Sequence, residues 1–158
     1  MVKMLICYYS RSGNTRKMAR LIEKGARPTG VEVDVKDVKD VTPAALLKYD
    51  CVVIGSPTYY GLMSAEVKAL LDKSIRYHGR LDGKVGGAFS SSYNVGGGNE
   101  TTIMAILESL LIHGMVVCGD PDGDHYGPVS IGKPNRRVEA VCRRYGERVA
   151  ELAKRLHG

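Results

Sequence analysis

Three short segments carry residue types suited to holding one anionic, planar ligand. The first is Ser10-Arg11-Ser12-Gly13-Asn14-Thr15, which leads directly into a helix-period stretch. Hydroxyl groups, a glycine and a run of backbone N–H groups at a helix N-terminus make an anion site, and phosphate is its natural occupant. Plain helix capping by Ser12, Asn14 or Thr15 accounts for the same residues equally well. The segment has neither the lysine of a GxxxxGK[ST] phosphate loop nor the spacing of a GxGxxG dinucleotide fingerprint. A cysteine nucleophile with a phosphate-holding arginine six places on does not fit either: the sixth residue after Cys7 is Gly13, and Arg11 falls two places early.

The second segment is Ser56-Pro57-Thr58-Tyr59-Tyr60-Gly61, in which Pro57 and Gly61 bracket two adjacent tyrosines. Aromatic rings at a strand end suit a planar ligand, because stacking contributes beyond simple burial. With nine Tyr, one Phe and no Trp in the chain, such stacking must come from tyrosine. The competing reading packs one of the pair into the core with its hydroxyl at the surface. The third segment runs from Ser90 to Glu100 through Ser91, Ser92, Tyr93, Asn94, Gly96 and Gly97. Its consecutive glycines let the main chain approach a ligand closely. A side chain added at Gly97 is expected to press on that ligand.

These segments need elements to position them. Apolar, β-branched runs fall at Val2–Tyr9, Val31–Val35, Tyr49–Gly55, Lys84–Ser90 and Gly114–Cys118. Helix-period stretches follow Thr15, Ser64 and Thr101, and a last one carries Val138, Val141, Cys142, Tyr145, Val149, Leu152 and Leu156 on one stripe after Pro134 and Asn135. The second crossover is weakest, a short piece at Pro43–Leu47. Continuous apolar strands alternating with helices predict an α/β, doubly wound parallel sheet covered on both faces. Ligands of such sheets bind beyond the carboxyl ends of the strands, where the three segments would meet.

At 158 residues the chain has the size of a single domain, residues 1–158, with enough buried surface to fold without staples. No run approaches a membrane span, and Met1 leads into a strand-like stretch without a signal-peptide pattern, so a cytoplasmic protein is expected. Cys7, Cys51, Cys118 and Cys142 are too scattered for a disulfide framework or zinc and read as free thiols. The net charge is +6, and the segment from Lys133 onward carries eight basic residues against Glu139, Glu147 and Glu151. That places most of the excess on the terminal helix, partly paired through Glu151 and Arg155. No aromatic-and-basic interleaving accompanies it, so no nucleic-acid partner is expected.

In combination the segments resemble the flavodoxin-like FMN proteins, and among them the WrbA-type NAD(P)H:quinone oxidoreductases. The resemblance rests on Ser10–Thr15, the Pro57-Thr58 loop, Phe89–Glu100, His113-Gly114-Met115-Val116-Val117 and Tyr126-Gly127, and extends over essentially the whole chain. It implies a flavodoxin-like three-layer sandwich whose five-stranded parallel sheet has the order 2-1-3-4-5. It also implies FMN, with its phosphate on Ser10–Thr15 and its isoalloxazine beside Pro57, Thr58, Tyr59, Tyr60 and Gly61. Ser91 to Gly97 would bond the pyrimidine edge, and His113 would reach the flavin or substrate side. Taken alone, His113 is a histidine at a helix end, where the helix dipole favours its protonated form.

The glycine loop is one residue longer than in the WrbA type, and the segment which that type inserts after its second strand is shortened. Quinone specificity and assembly into a homo-oligomer therefore stay open. The implied activity passes electrons from NAD(P)H through FMN to a quinone or similar small-molecule acceptor, with no catalytic side chain and no metal. The alternative is a flavodoxin that carries electrons between redox proteins. Shuttle flavodoxins are acidic and meet their partners by electrostatic attraction, which a basic chain lacks, so the charge favours the enzyme.

Overall fold

The computed structural model describes residues 1–158. Four of the apolar runs become β1 (Lys3–Tyr8), β2 (Glu32–Asp37), β3 (Cys51–Pro57) and β4 (Val85–Ser92). Four helices accompany them: α1 (Asn14–Ala26), α2 (Ala65–Lys73), α3 (Asn99–Ile112) and α4 (Arg136–His157). The weak second crossover is a 3₁₀ helix, Pro43–Lys48, started by the Thr42 side chain accepting from the Ala45 N–H. With β5 (Val116–Val117), the strands stand in the order β2-β1-β3-β4-β5, and every pair is parallel. The architecture is the flavodoxin-like sandwich that the resemblance implied.

Alternate residues of the strands feed two cores, one on each face of the sheet. Met4 and Ile6 pack with Met18 and Ile22 of α1 and with Val138 and Val149 of α4. Leu5 and Ile54 pack with Val67 and Leu70 of α2 and with Ile103 and Ile106 of α3. Being buried on both faces is why β3 and β4 read as continuous apolar runs rather than alternating ones. α1 and α4 cross at Gly25 and Gly146, where a Cβ would run into the carbonyls of Arg143 and Ile22 respectively.

Strand five differs from the expectation. Only Val116–Val117 of the expected Gly114–Cys118 run pairs, against Val85 and Gly86. The chain then leaves the sheet and returns as β6 (Val129–Ile131), which pairs with Ser90–Ser92 further along β4. Between the two pieces the Ala88 N–H has no strand partner and donates instead to the Tyr145 hydroxyl of α4, at 3.0 Å. Gly127 (φ +143°) stands over the Ala88 carbonyl, in space that a Cβ would fill. The excursion is tied to α4 by Asp120, which accepts from Arg144 Nε and Nη2 at 2.7 and 2.9 Å. Those bonds come first among the causes that lower the Asp120 carboxyl to about 2. Glu151, expected to pair with Arg155, pairs with Lys154 at 3.1 Å, one position short of a full helical return.

Both helices that follow the glycine-bearing segments start before the hydroxyls expected to open them, α1 at Asn14, one residue before Thr15, and α3 at Asn99, two before Thr101. Their N-cap residues are Gly13 (φ +94°) and Gly98 (φ +106°), and neither supplies a side-chain cap. α2 and α4 are capped by Ser64 and Asn135, whose side chains accept from the N–H groups of Val67 and Val138. No helix is long and apolar enough to cross a membrane.

Candidate functional site

The three loops converge on one cleft of about 190 Å³ at the carboxyl ends of β1, β3 and β4. Arg11, Ser12, Asn14 and Thr15 form one wall, Pro57, Thr58 and Tyr59 a second, and Ser91, Ser92 and Tyr93 a third; Gly132, just after β6, completes it. The β1 loop turns because Ser10 Oγ accepts from the Gly13 N–H at 3.1 Å and Gly13 takes the left-handed conformation. The capping alternative does not hold: no side chain caps α1, and Thr15 Oγ1 instead bonds Ser91 Oγ at 2.9 Å. The first N–H groups of α1 therefore open into the cleft with the positive end of the helix dipole behind them, an arrangement that favours an anion.

Hydroxyls knit the walls together. Thr58 Oγ1 bonds Ser90 Oγ at 2.9 Å and receives a bond from Thr102 Oγ1 at 3.1 Å, while Ser92 Oγ bonds Asn99 Oδ1 at 2.7 Å. The β3 loop closes through a short bridge between Tyr59 and Leu62, with Tyr60 (φ +49°) and Gly61 (φ +78°) at its turn. Of the two tyrosines, Tyr59 faces the cleft and meets Tyr9 edge-on, with ring centroids 6.4 Å apart. Burial, and then Tyr9, push the Tyr59 hydroxyl up from its ordinary pKa. Tyr60 points away from the core and is fully exposed, so neither tyrosine is the core residue of the competing reading.

Tyr93 lines the cleft and is 92 % exposed, so its ring is free to cover a ligand. Asn94 contributes its carbonyl, which accepts from Ser92 Oγ and from the Gly97 N–H. Within the protein, a Cβ at Gly97 would meet the Asn94 carbonyl at 2.9 Å, inside its own loop, and Ser92 Cβ at 3.2 Å. Gly96 (φ +66°) has open space around it. The glycine that closes the site is Gly98, where a Cβ would lie 2.8 Å from Gly61 Cα and 3.1 Å from Thr58 Cγ2, so the β4 loop can press against the β3 loop only without a side chain.

His113 is the one proposed site residue that the fold carries away. It follows α3, at the end opposite the cleft, because α3 runs back along the sheet from the β4 loop. There its Nε2 bonds Ser74 Oγ at 2.7 Å, its Nδ1 has no partner, and burial, then His78, lower its pKa. Cys7 is inert: burial, then Asp37, push its thiol up to about 12. Cys51 and Cys142 are buried free thiols, and Cys118 is a half-buried one.

The flavodoxin domain family matches residues 5–109, which include all three loops and most of α3. The chain belongs to that family. It is 34% identical over 190 aligned positions to the "NAD(P)H dehydrogenase (quinone)" of Archaeoglobus fulgidus, covering 99% of this chain and 100% of the relative. It is 43% identical to the "Flavodoxin" of Aquifex aeolicus over 160 positions, covering 96% and 86% of the two chains. Among solved structures, the "flavodoxin, WrbA-like protein from Agrobacterium tumefaciens" superposes with a TM-score of 0.84 at 24% identity, covering 99% of both chains. At that identity the likeness is one of fold.

The flavodoxin cradle fits FMN in each of its parts. The uncapped α1 terminus and the Ser10 to Thr15 hydroxyls suit a phosphate, and Tyr59 and Tyr93 suit a planar ring. The backbone groups of the β4 loop suit the ring's polar edge. The enclosed part of the cleft is below the roughly 300–1,000 Å³ of usual ligand pockets, so the ring would rest at the open mouth between tyrosines. Sequence reasoning missed Gly98, Thr102, Asn99 and Gly132. Gly98 was visible as the third glycine of its run; Gly132 was hidden with the unrecognised sixth strand.

Proposed function

We propose that this chain, as a single domain over residues 1–158, is an FMN-dependent oxidoreductase that passes electrons from NAD(P)H to a quinone or similar small acceptor. The observation that carries the reading is an uncapped helix opening onto a tyrosine-flanked cleft, in a chain matched end to end by an NAD(P)H dehydrogenase (quinone). Bound FMN supplies the chemistry, accepting hydride and releasing two electrons. The protein's part is to bind and orient. The N–H groups at the start of α1 hold the phosphate, Tyr59 and Tyr93 cover the ring, and the β4 loop bonds its edge. No protein nucleophile or general base is needed.

The carrier reading has one observation behind it, the 43% identity to the Aquifex aeolicus flavodoxin. Against it, the only charged side chain lining the cleft is Arg11, whereas a shuttle would present acidic groups around its electron exit. Stopped-flow mixing of the flavin-loaded protein with NADPH or NADH separates the two. The enzyme bleaches the flavin band rapidly and recovers it when quinone is added. A flavin reduced by neither nucleotide, yet reduced by a partner redox protein, would make the chain a carrier. A cytoplasmic setting is part of the same proposal, since both donor nucleotides are found there.

A further inference from the structure

A second concavity, of about 510 Å³, lies between α1 and the start of α4. Its lining follows that of the cleft in the chain along two separate segments. Thr15 lines the cleft and Arg16 the groove; Gly132 lines the cleft and Pro134 the groove. The α1 wall presents Arg16, Lys17, Arg20 and Lys24, all exposed, over about 12 Å of helix. Glu139 is the one acid in the groove, and it is engaged by Arg143 at 2.8 Å. Arg20 pairs with Glu23, but Arg16, Lys17 and Lys24 pair with no carboxylate.

This arrangement works against α1 in the free protein. Arg16 with Arg20, and Arg20 with Lys24, are like charges one helical return apart, which destabilises a helix. Arg16 and Lys17 also stand in the first turn, at the positive end of the dipole, and no acidic residue shares that turn. A bound polyanion relieves both effects. FMN's phosphate would lie at Ser10–Thr15, leaving Lys17, Arg20 and Lys24 further down the helix for a different anion. Leu21 and Pro134 give the groove an apolar wall for a heterocycle, and its size falls in the usual range of roughly 300–1,000 Å³ for small-molecule sites.

We infer that this groove binds the phosphate-bearing adenosine half of NADPH and selects NADPH over NADH. The inference rests on the oxidoreductase reading for its donor, and it names which donor that is. NADPH differs from NADH by a 2′-phosphate, and Arg and Lys side chains are the groups that recognise it. A nucleotide reaching from the cleft toward the groove places its nicotinamide at the mouth and its 2′-phosphate among Lys17, Arg20 and Lys24.

The test uses the FMN-loaded protein and the double substitution Lys17→Gln/Lys24→Gln, since neither side chain makes a hydrogen bond or ion pair that folding needs. Adenosine 2′,5′-bisphosphate is titrated calorimetrically into both proteins, and steady-state KM is measured with NADPH and NADH. The expected result is binding that is competitive with NADPH, is weakened by salt, and loosens about fivefold or more in the variant. NADPH KM rises in step, while NADH KM and FMN content stay as they were. Equal binding of the bisphosphate by the two proteins, no binding at all, or an unchanged ratio of the two KM values would overturn the inference. So would absent bisphosphate binding together with slowed electron transfer to an acidic redox protein, which would make the groove a protein-docking surface. If neither nucleotide reduces the flavin, the oxidoreductase reading fails, and the bisphosphate titration still decides the groove on its own.

Discussion

Single glycines decide how closely the cleft's loops meet. Gly98 is left-handed and touches Gly61 and Thr58, so Gly98→Ala strains the backbone and pushes the β3 and β4 loops apart. A cost of about 1–3 kcal/mol is expected, with weakened flavin retention. Gly96→Ala meets nothing and carries only the left-handed cost of about 1–2 kcal/mol, with flavin retained. Urea midpoints and flavin-to-protein absorbance ratios on the two purified variants check the contrast; equal flavin loss from both would refute it. At this scale the sequence was readable in part. Residue type placed Ser12, Thr58, Tyr59 and Ser91 in the cleft, because each needs only to follow a strand. Which glycine meets another loop depends on φ and on contacts between segments distant in sequence, so the part Gly98 plays against the β3 loop was not legible. His113 was misplaced for a related reason: a resemblance transfers a residue type without saying which end of the sheet it occupies in this fold.

Elements carry the site through where they begin and how they are anchored. All four helices begin at the carboxyl ends of parallel strands; α1 and α3, which follow the glycine-bearing loops, lack side-chain caps, whereas α2 and α4 have them, so the uncapped starts are those that adjoin the glycine loops. The first four strands were legible because burial on both faces leaves a continuous apolar run. The sixth was not, since Val129-Ser130-Ile131 is too short to show a period and Pro128 and Gly132 bracket it like a turn. What holds the split strand in place is the pairing of the Asp120 loop with α4. Asp120 has a folded pKa of about 2, below its unfolded value, so its stabilisation is present at neutral pH and is lost as pH falls through about 2. After allowance for the half-exposed Arg144, the pairing is worth about 1–2 kcal/mol. Urea denaturation of the wild type and Asp120→Asn should show that difference at pH 6 and a shrinking gap between pH 4 and 2. A gap independent of pH would mean that the carboxylate charge contributes nothing.

Taken whole, the molecule divides its charge by location. Part of the basic excess on α4 is used structurally, with Arg144 and Arg148 on Asp120, Arg137 on Asp124 and Arg143 on Glu139. On α1, by contrast, Arg16, Lys17 and Lys24 stand together without a carboxylate partner, beside the cleft. The sequence located the α4 excess; it could not show the α1 groove, because Arg16 to Lys24 become a wall only when α4 is laid alongside them. Under the proposed function, the cleft holds FMN by its phosphate, at the open end of α1. Titrating flavin-free protein with FMN and with riboflavin tests it most directly, because the two ligands share the ring and differ in the phosphate. FMN should bind at least about a hundredfold more tightly, the yield of a few charge-assisted hydrogen bonds. Equal affinity for the two flavins, or binding of neither, would contradict the account.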